Sequence, residues 1–380
     1  YERHISLMTE TVLKKNLKIA LVAGEKSGDE LGGPLMEALK EQNSHIDFVG
    51  IGGEQMAKQG LKSLFDMNEI SVMGIIEPLL KLKTLLRLRK ELKAFLAKEK
   101  PDIFVGIDSP DFNLPIAKFL KKTHRIKTVQ YVSPSVWAWR KGRIKSMEKF
   151  IDSVLTLFPF EGKSYLSSSI NVSYVGHPLP YKINLNENDI KNKKENSVAL
   201  LPGSRKSEIS LIGNLMVKTA RKLKEENPAL TFFMPLASKS HLSLFTEDMD
   251  DLITVSYGDS QDILRKSRLA IITSGTATLE SVLSYTPCVT LYRTNWFSYK
   301  LIKPLLTIEN FSLPNLISGK ELLPELLQEE LTVENIKSAL NSLDQKGLDY
   351  YSDEFGQLKR SLKAGGASKA SSEILHLLNC

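Results

Sequence analysis

Short apolar runs that end in glycine or a small polar residue recur along the chain, with segments of helix length between them. In the first half they are "LKIALVAG" (17–24), "DFVGIGG" (47–53), "DIFVGID" (102–108), "KTVQYVS" (127–133), "DSVLTLF" (152–158) and "VSYVGHP" (172–178). Continuous rather than alternating runs of this kind belong to strands buried on both faces. The Gly-rich turn after the first run predicts a helix over about 29–42. The pattern stops at 183–197, "INLNENDIKNKKENS", a polar stretch without apolar period that reads as a linker. It restarts with "SVALLPGS" (197–204), "LTFFMPL" (230–236), "ITVSYG" (253–258), "LAIITSG" (269–275) and "PCVTLYR" (287–293). Strands separated by helices imply βαβ units, so the expected fold class is α/β, two doubly wound parallel sheets joined near residue 190. The C-terminal ends of their strands are expected to face an interdomain cleft, where such sheets bind ligands.

Composition narrows the class without choosing a function. With 380 residues, 42% hydrophobic and 25% charged, the chain has an ordinary globular balance and room for two domains. Lys or Arg interrupts even the leucine-richest stretch, 75–96, so no membrane-spanning helix is expected. Cys288 and Cys380 alone make neither a disulfide framework nor a metal site, and they point to a reducing, cytoplasmic setting. No signal pattern opens the sequence, so secretion is not expected, and Met8 is the candidate start. The net charge is +7, and residues 1–190 hold 28 Lys/Arg against 22 Asp/Glu. A basic first half suits an anionic partner, whether nucleic acid, lipid or phosphorylated substrate, although a merely solvated surface has the same composition.

Several strand ends carry residues suited to chemistry. "GEKSGDELGG" (24–33) offers glycines and a helix N-terminus to an anion, but it lacks the dinucleotide fingerprint, so no NAD site is expected. Tight strand–helix packing is the competing reading. "LLPGSRKSEIS" (200–210) lacks the first glycine of a phosphate loop, yet it presents Ser204 and Arg205, whose guanidinium can fork onto a diphosphate or serve a structural ion pair. In "ITSGTATLES" (272–281), Ser274, Gly275 and Thr276 open a helix whose N–H groups suit a diphosphate, and Glu280 could accept from ribose hydroxyls. Asp108 and Asp111, after a buried strand, are candidates for a general base or a turn, with Asp29 as the rival base. His177 could meet a ligand at the hinge, though a lone histidine is more often structural. No HxH or HExxH spacing occurs, so no metal is expected.

Two basic segments remain. In "SPSVWAWRKGRIKSMEKF" (133–150) Trp137 and Trp139 stand beside Arg140, Lys141 and Arg143, a set for an anionic substrate or a membrane interface. No nucleic-acid motif accompanies them, so no nucleic-acid partner is expected. In 75–100, Leu79, Leu82 and Leu86 share one helix face while Leu85, Leu88, Leu92 and Phe95 lie on the opposite one. Two apolar stripes mixed with Lys and Arg predict a helix with one side in the protein and another on an anionic bilayer, or else a helix buried between layers or copies.

Taken together, "LVAGEKSGDELGG", "VMGIIEPL", "VGIDSPDFN", "YVSPSVWAWRKGRI", "YVGHPL", "LLPGSRKSEI", "SGTATLE" and "SLPNLISGKELLPELLQEE" resemble, in order, the motif set of the bacterial lipid-A-disaccharide synthase family, from about residue 17 to 331. The resemblance implies a GT-B glycosyltransferase of two Rossmann-like domains with no cofactor and no metal. It implies an N-terminal domain (1–190) that binds the acceptor and faces the membrane, a UDP-sugar domain (191–345), and C-terminal helices (346–380) that pack back on the first. The implied reaction is inverting transfer of 2,3-diacylglucosamine from UDP-2,3-diacylglucosamine to the 6-hydroxyl of 2,3-diacylglucosamine 1-phosphate, at the inner face of the cytoplasmic membrane. Asp108, or alternatively Asp29, matches the base. Arg205, Ser204, Ser274, Gly275, Thr276 and Glu280 match the UDP site, and Ser27, Gly28, Asn315, Trp139 and Arg140 the acceptor or sugar. Leu79, Leu82, Leu85, Leu86 and Leu88 are expected to face the membrane. A homodimer stays open, as does another GT-B enzyme acting on a UDP-sugar, such as an epimerase or a different lipid-linked glycosyltransferase.

Overall fold

The structure, a computed structural model, describes residues 16–70, 82–138, 142–185, 189–190, 193–294, 299 and 310–378. Leu79, Trp139, Arg140 and Cys380 lie outside the described residues.

Six parallel strands form the first sheet: β1 (Leu17–Ala23), β2 (Ile46–Ile51), β3 (Ile103–Ile107), β4 (Lys127–Tyr131), β5 (Ser153–Thr156) and β6 (Asn171–Tyr174), ordered β2-β1-β3-β4-β5-β6. The second sheet holds β7 (Lys194–Leu201), β8 (Thr231–Leu236), β9 (Ile253–Tyr257), β10 (Ser267–Thr273), β11 (Cys288–Tyr292) and β12 (Glu325–Leu327), ordered β12-β11-β10-β7-β8-β9 and again parallel. Every strand predicted from the apolar runs is present. The three-residue β12 is too short to show a pattern. β7 starts at Lys194, inside the stretch read as linker, because its first three residues are solvent-facing and pair through backbone that hydropathy cannot register.

The helices that matter here are α1 (Lys26–Gln42), α2 (Glu54–Lys58), α3 (Leu82–Glu99), α4 (Pro110–His124), α5 (Lys206–Glu226), α6 (Thr276–Leu283), α7 (Val333–Ser361) and α8 (Gly366–Leu377). On one face of the first sheet, Ala20, Val22 and Phe104 pack with Leu88 and Leu92 of α3 and Ile116 of α4. On the other, Ile19 and Leu21 pack with Leu35 and Leu39 of α1 and with Ala370 and Ile374 of α8. The second core joins Leu200, Ile271 and Val289 to Ile212 and Met216 of α5 and to Ile336, Leu340 and Phe355 of α7. The chain therefore closes the second core with α7, which is broken at Gly347 (φ +76°), and then returns to the first sheet as α8. Leu179 and Ile183 already belong to the second core. The crossing is pinned by His177 N donating to Leu362 O (3.0 Å) and Gly366 N donating to Val175 O (2.7 Å).

α3 corrects part of the membrane expectation. Leu85 (7% exposed) and Leu88 (1%) lie in the core beside Leu92 and Leu96, because α3 must cover the first sheet with one stripe. Leu82 (48%) and Leu86 (50%) form the stripe left outside. Among the described residues no helix is long and apolar enough to cross a membrane.

In each sheet the order reverses once, between β1 and β3 and between β7 and β10. Those are the topological switch points at whose C-terminal edges open α/β sheets leave a crevice. The four motifs read at strand ends occupy these two edges.

Candidate active site

At the first switch point the loops after β1 and β3 touch. A Cβ on Gly24 would lie 2.4 Å from Ser109 Oγ, so only glycine allows this approach. Asp108 (φ +53°) and Ser109 (φ +39°) are consecutive left-handed residues, a conformation that non-glycine residues adopt at a cost of ~1–3 kcal/mol each. Buried amides hold them there: Asn113 Nδ2 donates to Asp108 O (2.9 Å), Ile107 O (3.3 Å) and Val22 O (3.2 Å), and Gln130 Nε2 to Asp108 O (3.1 Å) and Val132 O (3.2 Å). The Asp108 carboxylate is half-buried, accepting from Ser109 N (2.9 Å) and Ser27 Oγ (3.1 Å). Two bonds leave a carboxylate with spare lone pairs for a substrate hydroxyl.

Three expected contacts have other employment. Asp29 is 4% exposed, and its carboxylate accepts from Gly53 N (2.9 Å), Gln55 N (2.9 Å) and Met56 N (3.0 Å), capping α2. Three of its acceptor positions are thus engaged by the backbone at the start of α2. Gly28 packs α1 onto the sheet, since a Cβ there would sit 3.2 Å from Ala23 Cβ and 3.3 Å from Ile107 O. Asn315, wholly buried, accepts from Leu322 N and Leu323 N (2.9 Å each) and donates to Leu323 O and Glu325 Oε1 (2.8 Å each). It has nothing left for a sugar; the Leu-Pro-Asn-Leu block folds the loop that precedes β12.

The second switch point encloses a cavity of ≈ 420 Å³ lined by Gly203, Ser204, Arg205, Ser274, Gly275, Thr276 and Glu280, with Leu201 and Leu236 as apolar floor. Gly203 (φ +106°) is obligatory, because a Cβ would meet Glu208 Oε2 at 2.5 Å. That carboxylate accepts from Ser204 N and Arg205 N (3.2 Å each) and pairs with Arg205 Nη1 (3.0 Å). The start of α5 is thus capped by its own chain, and Arg205 stays more than half exposed at the rim. The first turn of α6 differs: no side chain caps it, and a Cβ on Gly275 would meet nothing within 4 Å. Its N–H groups and dipole are open to an anion in the cavity.

The two edges lie close enough to couple electrostatically. Glu25, at the end of β1, has its pKa raised first by burial and then by the Asp108 charge, with Arg205 pulling it down. Glu280 is raised by burial and by Glu30 of α1, which is itself paired with Lys182 (2.9 Å). Glu25 and Glu30 were missed in the sequence because their segment was read for glycines and Asp29; only the pairing of the halves reveals them.

His177 is structural. It is nearly buried, its Nδ1 accepts from Leu179 N (3.2 Å), and it stacks on Phe158 at 5.3 Å. Phe158 stacks on Phe160 (5.7 Å), and Phe160 meets Trp137 edge-on (5.1 Å), so an aromatic ladder supports the tryptophan segment from the hinge. Burial lowers the His177 pKa to about 4. A depressed folded-state pKa means that stability is lost as pH falls from about 6.5 towards 4, a contribution of order 3 kcal/mol. His177→Asn, which keeps an acceptor for Leu179 N, should flatten the fall of melting temperature over that window; an unchanged slope would refute the assignment.

Two switch points, one with a strained carboxylate and the other with an uncapped helix start over a cavity, belong to a pair of parallel α/β sheets of the GT-B fold. Solved structures agree on the fold: a UDP-GlcNAc 2-epimerase from Neisseria meningitidis (TM-score 0.63, 14% identity, 94% of this chain and 99% of that one) and MurG from Acinetobacter baumannii (0.57, 11%, 95% and 99%). The family model for lipid-A-disaccharide synthetase matches residues 19–376, and the chain belongs to that family, as a glycosyltransferase. It is 40% identical over 369 residues to the lipid-A-disaccharide synthase of Idiomarina loihiensis, covering 94% of this chain and 97% of the relative. It is 38% identical over 380 residues to lipid-A-disaccharide synthase 2 of Legionella pneumophila strain Paris, covering 97% and 98%.

Proposed function

We propose that Asp108 and the β7/β10 pocket carry out the family's reaction, in which 2,3-diacylglucosamine passes from UDP to the 6-hydroxyl of 2,3-diacylglucosamine 1-phosphate. The supporting observation is that Asp108 and Arg205, from different sheets, both act on the same residue, Glu25. Asp108 takes the proton as the acceptor oxygen attacks the anomeric carbon from the face opposite the leaving group, which inverts it. Ser27 orients the carboxylate. Arg205 and the N-terminal turn of α6, with Ser204, Ser274 and Thr276, stabilise the departing diphosphate, and Glu280 receives the ribose hydroxyls. The test is UDP release from UDP-2,3-diacylglucosamine with and without acceptor, in micelles containing EDTA. Acceptor-dependent release with a disaccharide phosphate in the mass spectrum supports the reading; UDP binding without turnover sinks it.

The membrane contact belongs to the same proposal. Leu82 and Leu86, with Lys83, Arg87 and Lys90 around them, form an amphipathic outer face suited to the inner surface of an anionic cytoplasmic membrane. Leu82→Ser/Leu86→Ser is expected to reduce flotation with anionic vesicles several-fold at unchanged melting temperature. Leu85→Ser/Leu88→Ser should instead destabilise by several kcal/mol, since buried leucine truncations cost ~2–5 kcal/mol each.

A further inference from the structure

Between α3 and α4 runs an outer groove of ≈ 390 Å³, lined by Leu86, Ala94 and Phe119 and by Arg89, Lys90 and Lys93. No acid lines it. Lys93 lies over the Phe119 ring (5.4 Å), and its pKa is lowered by burial and by the charges of Arg89 and Lys118. Arg89 donates from Nη2 to Asp111 O (3.1 Å) and covers Phe112 (5.5 Å), while its Nε is buried without a hydrogen-bond partner. The Asp111 carboxylate, whose charge acts on Arg89, is engaged by Arg143. Cations gathered at one place without carboxylates repel one another and hold a donor unmet, both of which an anion relieves.

We infer that this groove binds the phosphodiester headgroup of an anionic bilayer phospholipid, with Arg89, Lys90 and Lys93 on the phosphate and Leu86 and Phe119 against the first carbons of its chains. Half of the lining is apolar, which suits an amphiphile better than free phosphate, and Leu86 is shared with the exposed stripe of α3, so the groove opens in the plane that stripe would place on the membrane. The inference rests on the membrane-surface reading of α3 and adds a defined site to it.

The test titrates the full chain with dihexanoylphosphatidylglycerol below its micelle concentration, with dihexanoylphosphatidylcholine and inorganic phosphate as comparisons. Lys90→Gln/Lys93→Gln should weaken the phosphatidylglycerol complex by roughly 25-fold, about fivefold per lysine, while Lys122→Gln/Lys127→Gln, at the end of α4 and the start of β4, should change it less than twofold. Equal losses in both doubles would mean diffuse attraction and overturn the site. So would inorganic phosphate binding as tightly as the lipid, or loss of 2,3-diacylglucosamine 1-phosphate binding in place of phosphatidylglycerol binding. Vesicle flotation separates the two readings: if the unaltered chain does not float with phosphatidylglycerol vesicles, the membrane reading falls and takes the site with it. If flotation depends on Leu82 and Leu86 but lipid titration ignores Lys90 and Lys93, only the site falls.

Discussion

Asp108→Asn should lower turnover by about 10³-fold while leaving UDP affinity and melting temperature close to their original values. The magnitude is the middle of the 10²–10⁴-fold that a positioned general base contributes. Asparagine is the informative substitution because it tolerates the left-handed conformation that residue 108 adopts and keeps an oxygen for Ser109 N. The bonds from Asn113 and Gln130 go to the backbone carbonyl of residue 108, so the loop survives the change. What disappears is the ability to take a proton. Measured kcat within tenfold of the original would remove Asp108 from that role. Asp29→Asn is the contrasting variant: its effect belongs in thermal stability, because Asp29 holds three N–H groups of the α2 start.

Arg205→Ala should weaken UDP binding by about 10- to 100-fold, corresponding to the 1.5–3 kcal/mol of hydrogen bonds to a charged group. Turnover should fall further than affinity, since the diphosphate gains charge as the sugar leaves and the guanidinium acts most strongly then. The fold should persist: Arg205 is more than half exposed, and Glu208 caps the start of α5 through backbone N–H groups that the substitution keeps. Calorimetry with UDP is the direct measurement. Unchanged affinity would assign Arg205 to its Glu208 pair alone.

The sites differ in how legible they were. Ser204, Arg205, Ser274, Gly275 and Thr276 were readable because each follows a continuous apolar strand, and they do line one cavity. Asp29 and Asn315 were less legible, because a polar residue inside a dense motif looks the same whether it faces a ligand or bonds the backbone of the fold. They accept from backbone N–H groups that follow them by up to 27 residues, and spacing alone cannot count such donors. On α3, period correctly divided the leucines into two faces but could not say which one the sheet would cover.

By itself, then, the sequence determined the α/β class, the strands, the pause between two sheets and the motif set of the family, because these depend on local hydropathy and turn chemistry. The tertiary structure alone decided which carboxylate caps a helix, which leucines lie outside, and that the charges of Asp108 and Arg205 both reach Glu25. Those are outcomes of packing between distant segments. Burial and the consumption of hydrogen-bonding capacity are properties of neighbours in space, and a one-dimensional pattern does not contain them.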